Sequence, residues 1–177
     1  YMSSEKINKK HILWIMGPTS SGKTTIAKQL IKTQREKGLL YIEYDGDEVR
    51  DFFSPNIGFE KSDRLRVVAT IVHLANKSLE AGMNVVVSAL TANEDARLFI
   101  KKNVKNLVLV YLNCTIATCI KRDPKGIYKK AISGEIETLV GFNSEYYPPK
   151  KPDIIINTEK QSLDQCIKTI INKIKYL

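Results

Sequence analysis

Cysteine and histidine are scarce in this chain, with three cysteines and two histidines among 177 residues. Cys114, Cys119 and Cys166 show no metal-ligand spacing, and His11 and His73 are too few to complete a zinc set. The odd cysteine count argues against a disulfide framework, and each thiol is expected as a small buried apolar residue. With no secretory leader visible, a reducing cytoplasm is the expected compartment. No apolar run approaches the roughly 20 residues of a membrane span, so no membrane partner is expected. Internal repeats and low-complexity linkers are also missing. The charge is +9, yet the basic pairs (Lys9-Lys10, Lys101-Lys102, Lys129-Lys130, Lys150-Lys151) are scattered. No basic stripe with interleaved aromatics marks a nucleic-acid face, so the charge supports phosphate binding only weakly.

The chain has the length and apolar content of one globular domain that needs no covalent staples, spanning residues 1–177. Tyr1 precedes Met2 and reads as a tag remnant. Compact apolar runs alternate with helical patterns. Strands are expected at His11–Met16, Leu39–Tyr44, Asn84–Leu90, Leu107–Leu112 and Ile154–Ile156. Helices are expected near Lys23–Arg35, Asn93–Lys102, Thr115–Arg122 and Ser162–Lys175. A longer one is capped by Ser62 and ended by Gly82. Such alternation means an α/β fold, a P-loop NTPase-type three-layer α/β/α sandwich with a parallel sheet of about five strands. The stretch from Asp123 to Pro152 breaks the pattern with Pro124, Gly126, Gly134, Gly141, Pro148 and Pro149. It is expected to be an irregular lid.

Gly17-Pro18-Thr19-Ser20-Ser21-Gly22-Lys23-Thr24 fits G-x-x-x-x-G-K-[ST] at every fixed position. Gly17 and Gly22 permit a tight turn, successive amides make an anion nest, and the helix starting near Lys23 adds its positive end. Lys23 reaches the β/γ oxygens and the Thr24 hydroxyl suits Mg²⁺. With Thr25 next in the helix, this is the donor site for a nucleoside triphosphate.

Asp45-Gly46-Asp47-Glu48-Val49-Arg50 follows the second strand, where ligands gather in such sheets. Asp45 and Asp47 are two apart and would share a side in extended geometry. Together they could hold Mg²⁺ waters and take a proton from a hydroxyl nucleophile. Arg50 could clamp an anion. A plain Asp-Gly turn is the competing reading.

In this order the P-loop, Asp45–Arg50, Gly58-Phe59, Asp63-Arg64 and Arg122-Asp123-Pro124-Lys125-Gly126-Ile127-Tyr128-Lys129-Lys130-Ala131 resemble the adenylylsulfate kinases. Gly134-Glu135-Ile136 and Tyr146…Pro148-Pro149 extend the likeness, which runs from about His11 to Thr158. The resemblance implies a P-loop kinase that moves the ATP γ-phosphate to a ribose 3′-hydroxyl. It makes Asp47 the base, with Asp45 and Thr24 at the metal. It places Arg122 and Thr158 by the ATP adenine. Arg50, Phe59 and Arg64, with Val67, Leu90 and Leu139, take the acceptor, and Lys125 and Lys129 cover the phosphates. It also suggests a homodimer.

The acceptor half departs from the family pattern. The usual Asn, an acceptor contact, is Val67. The Ser sometimes assigned a phosphorylated intermediate is Ala92. The Phe that closes over the acceptor adenine is Leu139. A changed acceptor is therefore expected. The chain resembles the branch that phosphorylates cytidine diphosphoramidate in capsule phosphoramidate biosynthesis of Campylobacter-type bacteria. Adenylylsulfate itself is the alternative acceptor. A nucleotide-dependent switch or nucleic-acid-binding ATPase is the alternative of another class.

Overall fold

The computed structural model describes residues 9–176. Tyr1, read as a tag remnant, lies outside them. Five parallel strands stand in the order β2-β3-β1-β4-β5. They are β1 (Ile12–Met16), β2 (Tyr41–Asp45), β3 (Asn84–Ser88), β4 (Leu107–Asn113) and β5 (Ile154–Asn157). Between them run α1 (Lys23–Arg35), α2 (Gly46–Phe52), α3 (Lys61–Glu80), α4 (Glu94–Asn103), α5 (Ile116–Arg122) and α6 (Ile127–Ile132), with α7 (Leu163–Ile174) last. The expected α/β sandwich is what forms.

The strand period of two splits each apolar run between two cores. Leu13 and Ile15 of β1 face α1 and α7, meeting Ile26, Leu30, Ile167 and Ile170. Ile12, Trp14 and Met16 face α3 and α4, meeting Val67, Ile71 and Ile100. Trp14 is fully buried, as a core residue should be, and the three cysteines are buried and free. A third, smaller core joins Cys114 and Cys119 to Tyr128, Ala131 and Leu139. It seats the first half of the 123–152 stretch on the end of β4.

Central β1 has β3 on one side and β4 on the other. The chain leaves β1 toward one edge first and crosses to the other only after β3. The loop after β1 therefore opens into the crevice where strand order reverses, which is where such sheets bind ligands.

Four local expectations are corrected. Ser62 does not cap α3. The N-cap is Glu60, in extended geometry without a side-chain bond, and Ser62 lies inside the first turn. Gly82 does end it, at φ +89°, with Met83 N–H bonded to Ser78 O and Gly82 N–H to Leu79 O. Asp45–Arg50 is not an extended strand exit. Asp45 caps α2, and its carboxylate accepts from the amides of Asp47 and Glu48. The 123–152 stretch is not wholly irregular, because Asp123 holds the amides of Tyr128 and Lys129 and starts α6. Finally, β3 stops at Ser88, so Leu90 belongs to the following loop.

Candidate active site

The P-loop carries out its geometry with three special residues. Gly22 has φ +104° and Ser20 φ +67°, so the chain coils tightly before α1. A Cβ on Gly17 would stand 2.8 Å from Ser21 Oγ and 3.0 Å from Leu112 O, so only glycine fits against β4. No acid occupies the first turn of α1, leaving its positive end uncompensated. Lys23 folds back on its own loop, donating to Gly17 O at 3.0 Å and Pro18 O at 2.8 Å. Burial pushes its ammonium down to about 8, against the pull of Asp47 and Asp45.

Thr24 Oγ1 donates to Asp45 Oδ2 at 3.0 Å, and Ser88 Oγ donates to the same oxygen at 3.2 Å. This hydroxyl–carboxylate pair fits Mg²⁺, which takes one or two protein oxygens and fills its octahedron with phosphates and water. No cluster of three or more His, Cys, Asp or Glu suited to a metal occurs among the described residues. A bound ion would thus draw its other ligands from nucleotide and solvent. Asp47 follows in the first turn of α2, with its carboxylate exposed and 3.1 Å from Lys125 Nζ.

Farther along α2, the Arg50 guanidinium carbon lies 4.7 Å from the centre of the Phe59 ring. Arg50 also donates to Gly58 O, Arg64 donates to Phe59 O at 2.8 Å, and Asp63 accepts from Gly58 N–H. Gly58-Phe59 is thereby fixed between two arginines. At the opposite end Arg122 bonds Thr158 twice, to Oγ1 at 3.2 Å and to the carbonyl at 2.6 Å.

One cleft of about 1,210 Å³ joins these groups, large for a single small-molecule site of about 300–1,000 Å³. It is lined by Thr19 to Thr25, Asp45, Asp47, Arg50, Phe59, Arg64, Val67, Leu90, Lys125, Leu139, Arg122 and Thr158. Three anticipated residues do not line it. Gly17 and Pro18 instead offer their carbonyls to Lys23, and the exposed Lys129 on α6 is absent from the lining. Sequence reading missed Ser88, Asn93 and Gln161, which also line the cleft. For Ser88 a signal existed, a lone hydroxyl ending the Val-Val-Val run. Tyr128 was missed as a brace. Its hydroxyl donates to Thr19 O at 3.0 Å, tying α6 to the P-loop.

Comparison with known proteins decides the family. Residues 9–157 match the family model described as adenylylsulphate kinase. The chain belongs to the adenylylsulfate kinase family. The adenylyl-sulfate kinase of Clostridium acetobutylicum is 36% identical over 168 residues, covering 94% of this chain and 84% of that protein. The probable adenylyl-sulfate kinase of Archaeoglobus fulgidus is also 36% identical, over 149 residues, covering 84% and 96%. Among solved structures, the Mycobacterium tuberculosis APS kinase CysC in complex with AMPPNP and APS superposes with a TM-score of 0.88. Its identity is 28%, covering 94% of this chain and 98% of that one. As a member of the adenylylsulfate kinase family, the chain is an ATP- and Mg²⁺-dependent kinase of a nucleotide 3′-hydroxyl. Among the described residues no helix is long and apolar enough to cross a membrane.

Proposed function

We propose that the enzyme transfers the ATP γ-phosphate to the ribose 3′-hydroxyl of a nucleoside carrying a 5′ mixed anhydride, with adenylylsulfate the acceptor its relatives favour. The observation that carries this is the course of α2 along the cleft. Its cap Asp45 is bonded to Thr24 of the P-loop, Asp47 follows, and Arg50 lies on Phe59. A donor phosphate on the P-loop and an acceptor on Phe59 would meet beside Asp47.

In this reading the P-loop amides and Lys23 bind the β- and γ-phosphates, and Lys23 exchanges the carbonyls of Gly17 and Pro18 for phosphate oxygens. Asp47 accepts the 3′-hydroxyl proton as the oxygen attacks in line. Arg50 and Arg64 hold the acceptor's anionic 5′ group. Lys125 covers the phosphates once it leaves Asp47. Arg122 and Thr158 receive the ATP base, and residues 123–152 form the lid. Thr24 and Asp45 would hold Mg²⁺, which when bound would supply charge neutralisation for the migrating phosphoryl group.

A second acceptor reading rests on specific residues. Val67, Ala92 and Leu139 line the acceptor end with aliphatic side chains, where the family pattern has an Asn, a Ser and a Phe. A smaller pyrimidine needs less aromatic cover, which suits cytidine diphosphoramidate. None of the relatives named above is a kinase of that compound, so adenylylsulfate is the better supported acceptor. Coupled assays of ADP release with each acceptor test both readings. Turnover of neither, with ATP hydrolysis unaffected by both, would sink the proposal.

A further inference from the structure

The loop between β3 and α4 presents Leu90, Thr91, Ala92 and Asn93 to the cleft. Thr91 has φ +47°, a costly conformation for a β-branched residue. Three bonds hold it there. Trp14 Nε1 donates to Thr91 Oγ1 at 3.0 Å, the Thr91 hydroxyl donates to Ala89 O at 3.2 Å, and Arg97 Nε donates to Thr91 O at 2.7 Å.

Arg97 is only 4% exposed, and its acidic neighbour Glu94 stands 4.0 Å away, half in solvent. A buried guanidinium with so loose a counter-ion costs stability unless other contacts use it. Its other contact is Tyr146, whose ring centre lies 5.6 Å from the guanidinium carbon. The Tyr146 ring stacks on Tyr111 of β4 at 10° and 6.4 Å. Arg97 Nη2 and Tyr146 Oη are both buried without a hydrogen-bond partner. One buried cation therefore touches the acceptor-end loop through Nε and the far end of the 123–152 segment through its face.

We propose that Arg97 is a positioning residue that couples the seating of Tyr146 to the shape of the Leu90–Asn93 wall, and so tunes acceptor binding without touching either substrate. The inference rests on the acceptor lying at that end of the cleft. An Arg seated under the ring holds Nε on the Thr91 carbonyl and keeps the strained turn in place. When Tyr146 lifts, the guanidinium loses its aromatic face and the wall relaxes.

Steady-state kinetics with adenylylsulfate and with cytidine diphosphoramidate test this on Arg97→Lys, Arg97→Met, Tyr146→Leu and Tyr146→Phe, with melting temperatures recorded. Both Arg97 variants are expected to raise acceptor KM about tenfold or more while ATP KM stays within about twofold. Tyr146→Leu should act in the same direction, and adding it to Arg97→Met should change little more. Tyr146→Phe keeps the ring and should behave as wild type. Equal rises in both KM values, tracking a fall in melting temperature, would reduce Arg97 to a structural residue and overturn the inference. Leu90→Ala, which alters the wall directly, separates the two ideas. If it raises acceptor KM and the Arg97 variants do not, the coupling is wrong. If it too leaves acceptor KM unmoved, the placement of the acceptor is wrong and the inference falls with it.

Discussion

The ammonium of Lys125 lies 3.1 Å from the carboxylate of Asp47, joining α2 to the segment that follows α5. Both side chains are largely exposed, so the pair is worth little to the fold, about 0–1 kcal/mol. The Asp47 partner holds Lys125 protonated above its ordinary range. In the proposed reaction each member has another use, Asp47 with the 3′-hydroxyl and Lys125 with the phosphates. Asp47→Asn is expected to lower kcat by about 10²–10⁴-fold while leaving ATP affinity and melting temperature close to wild type. Isothermal titration with a non-hydrolysable ATP analogue, beside turnover assays, checks this. An unchanged kcat would remove Asp47 from the chemistry.

Lys23 supplies a pH signature. Burial lowers its ammonium from 10.5 to about 8 in the nucleotide-free protein. Between those values an unfolded Lys23 holds a proton that the folded one lacks. Its contribution to stability therefore rises with pH across that window and is lost as pH falls through about 8. Phosphate oxygens favour the charged form, so nucleotide binding above pH 8 should take up a fraction of a proton that grows toward one as pH rises. Calorimetry at pH 8.5 in two buffers of different ionisation enthalpy should give different apparent enthalpies. Affinity should weaken toward about tenfold per pH unit above 8. Lys23→Met should erase both effects, and buffer-independent enthalpies in the wild type would contradict the assignment.

The P-loop glycine against β4 makes a steric prediction. In Gly17→Ala the new methyl would meet Ser21 Oγ and the Leu112 carbonyl inside contact distance. Because one of these is backbone of a buried strand, the loop must move instead. Overpacking of this kind costs about 1–3 kcal/mol, and ATP KM should rise at least about tenfold. Gly38→Ala, at a positive φ but in open space, serves as the control. It should lose stability through strain alone and keep its ATP KM.

The donor half of this site was legible in the sequence because its signals are local. A fixed octapeptide sets the P-loop, and continuous apolar runs set a sheet buried on both faces. The rest of the cleft depends on contacts that no local pattern carries. Asp45 and Asp47 read as a carboxylate pair in extended geometry, yet the amides of Asp47 and Glu48 close on the Asp45 carboxylate and turn the next seven residues into α2. Ser62 is a good cap by type, but the chain enters α3 two residues earlier, with Glu60 as cap. Lys129 shares a motif with Lys125, yet of the two only Lys125 lines the cleft. Tyr146 carries no local signal of what it packs on. Its partners Tyr111 and Arg97 lie 35 and 49 residues away, and they show it packed.

In the proposed reading acceptor choice turns on Val67 and Leu139, so exchanging them is the sharpest test of substrate. Leu139 is 7% exposed and packs with Cys114, Cys119 and Tyr128, while Val67 is 5% exposed beside Ile71. Leu139→Phe offers an aromatic face to the acceptor base, and stacking of this kind is worth about 1–3 kcal/mol per base. Val67→Asn adds a carboxamide that only a hydrogen-bonding acceptor can satisfy. If the aliphatic pair selects a pyrimidine, the double variant should shift the ratio of kcat/KM for adenylylsulfate over cytidine diphosphoramidate upward by about 10–100-fold. The single Leu139→Phe variant should supply part of that shift with a small loss of melting temperature from overpacking. A ratio that already favours adenylylsulfate in the wild type, and that neither change moves, would mean that this pocket reads adenine without the two side chains and that the pyrimidine reading is wrong.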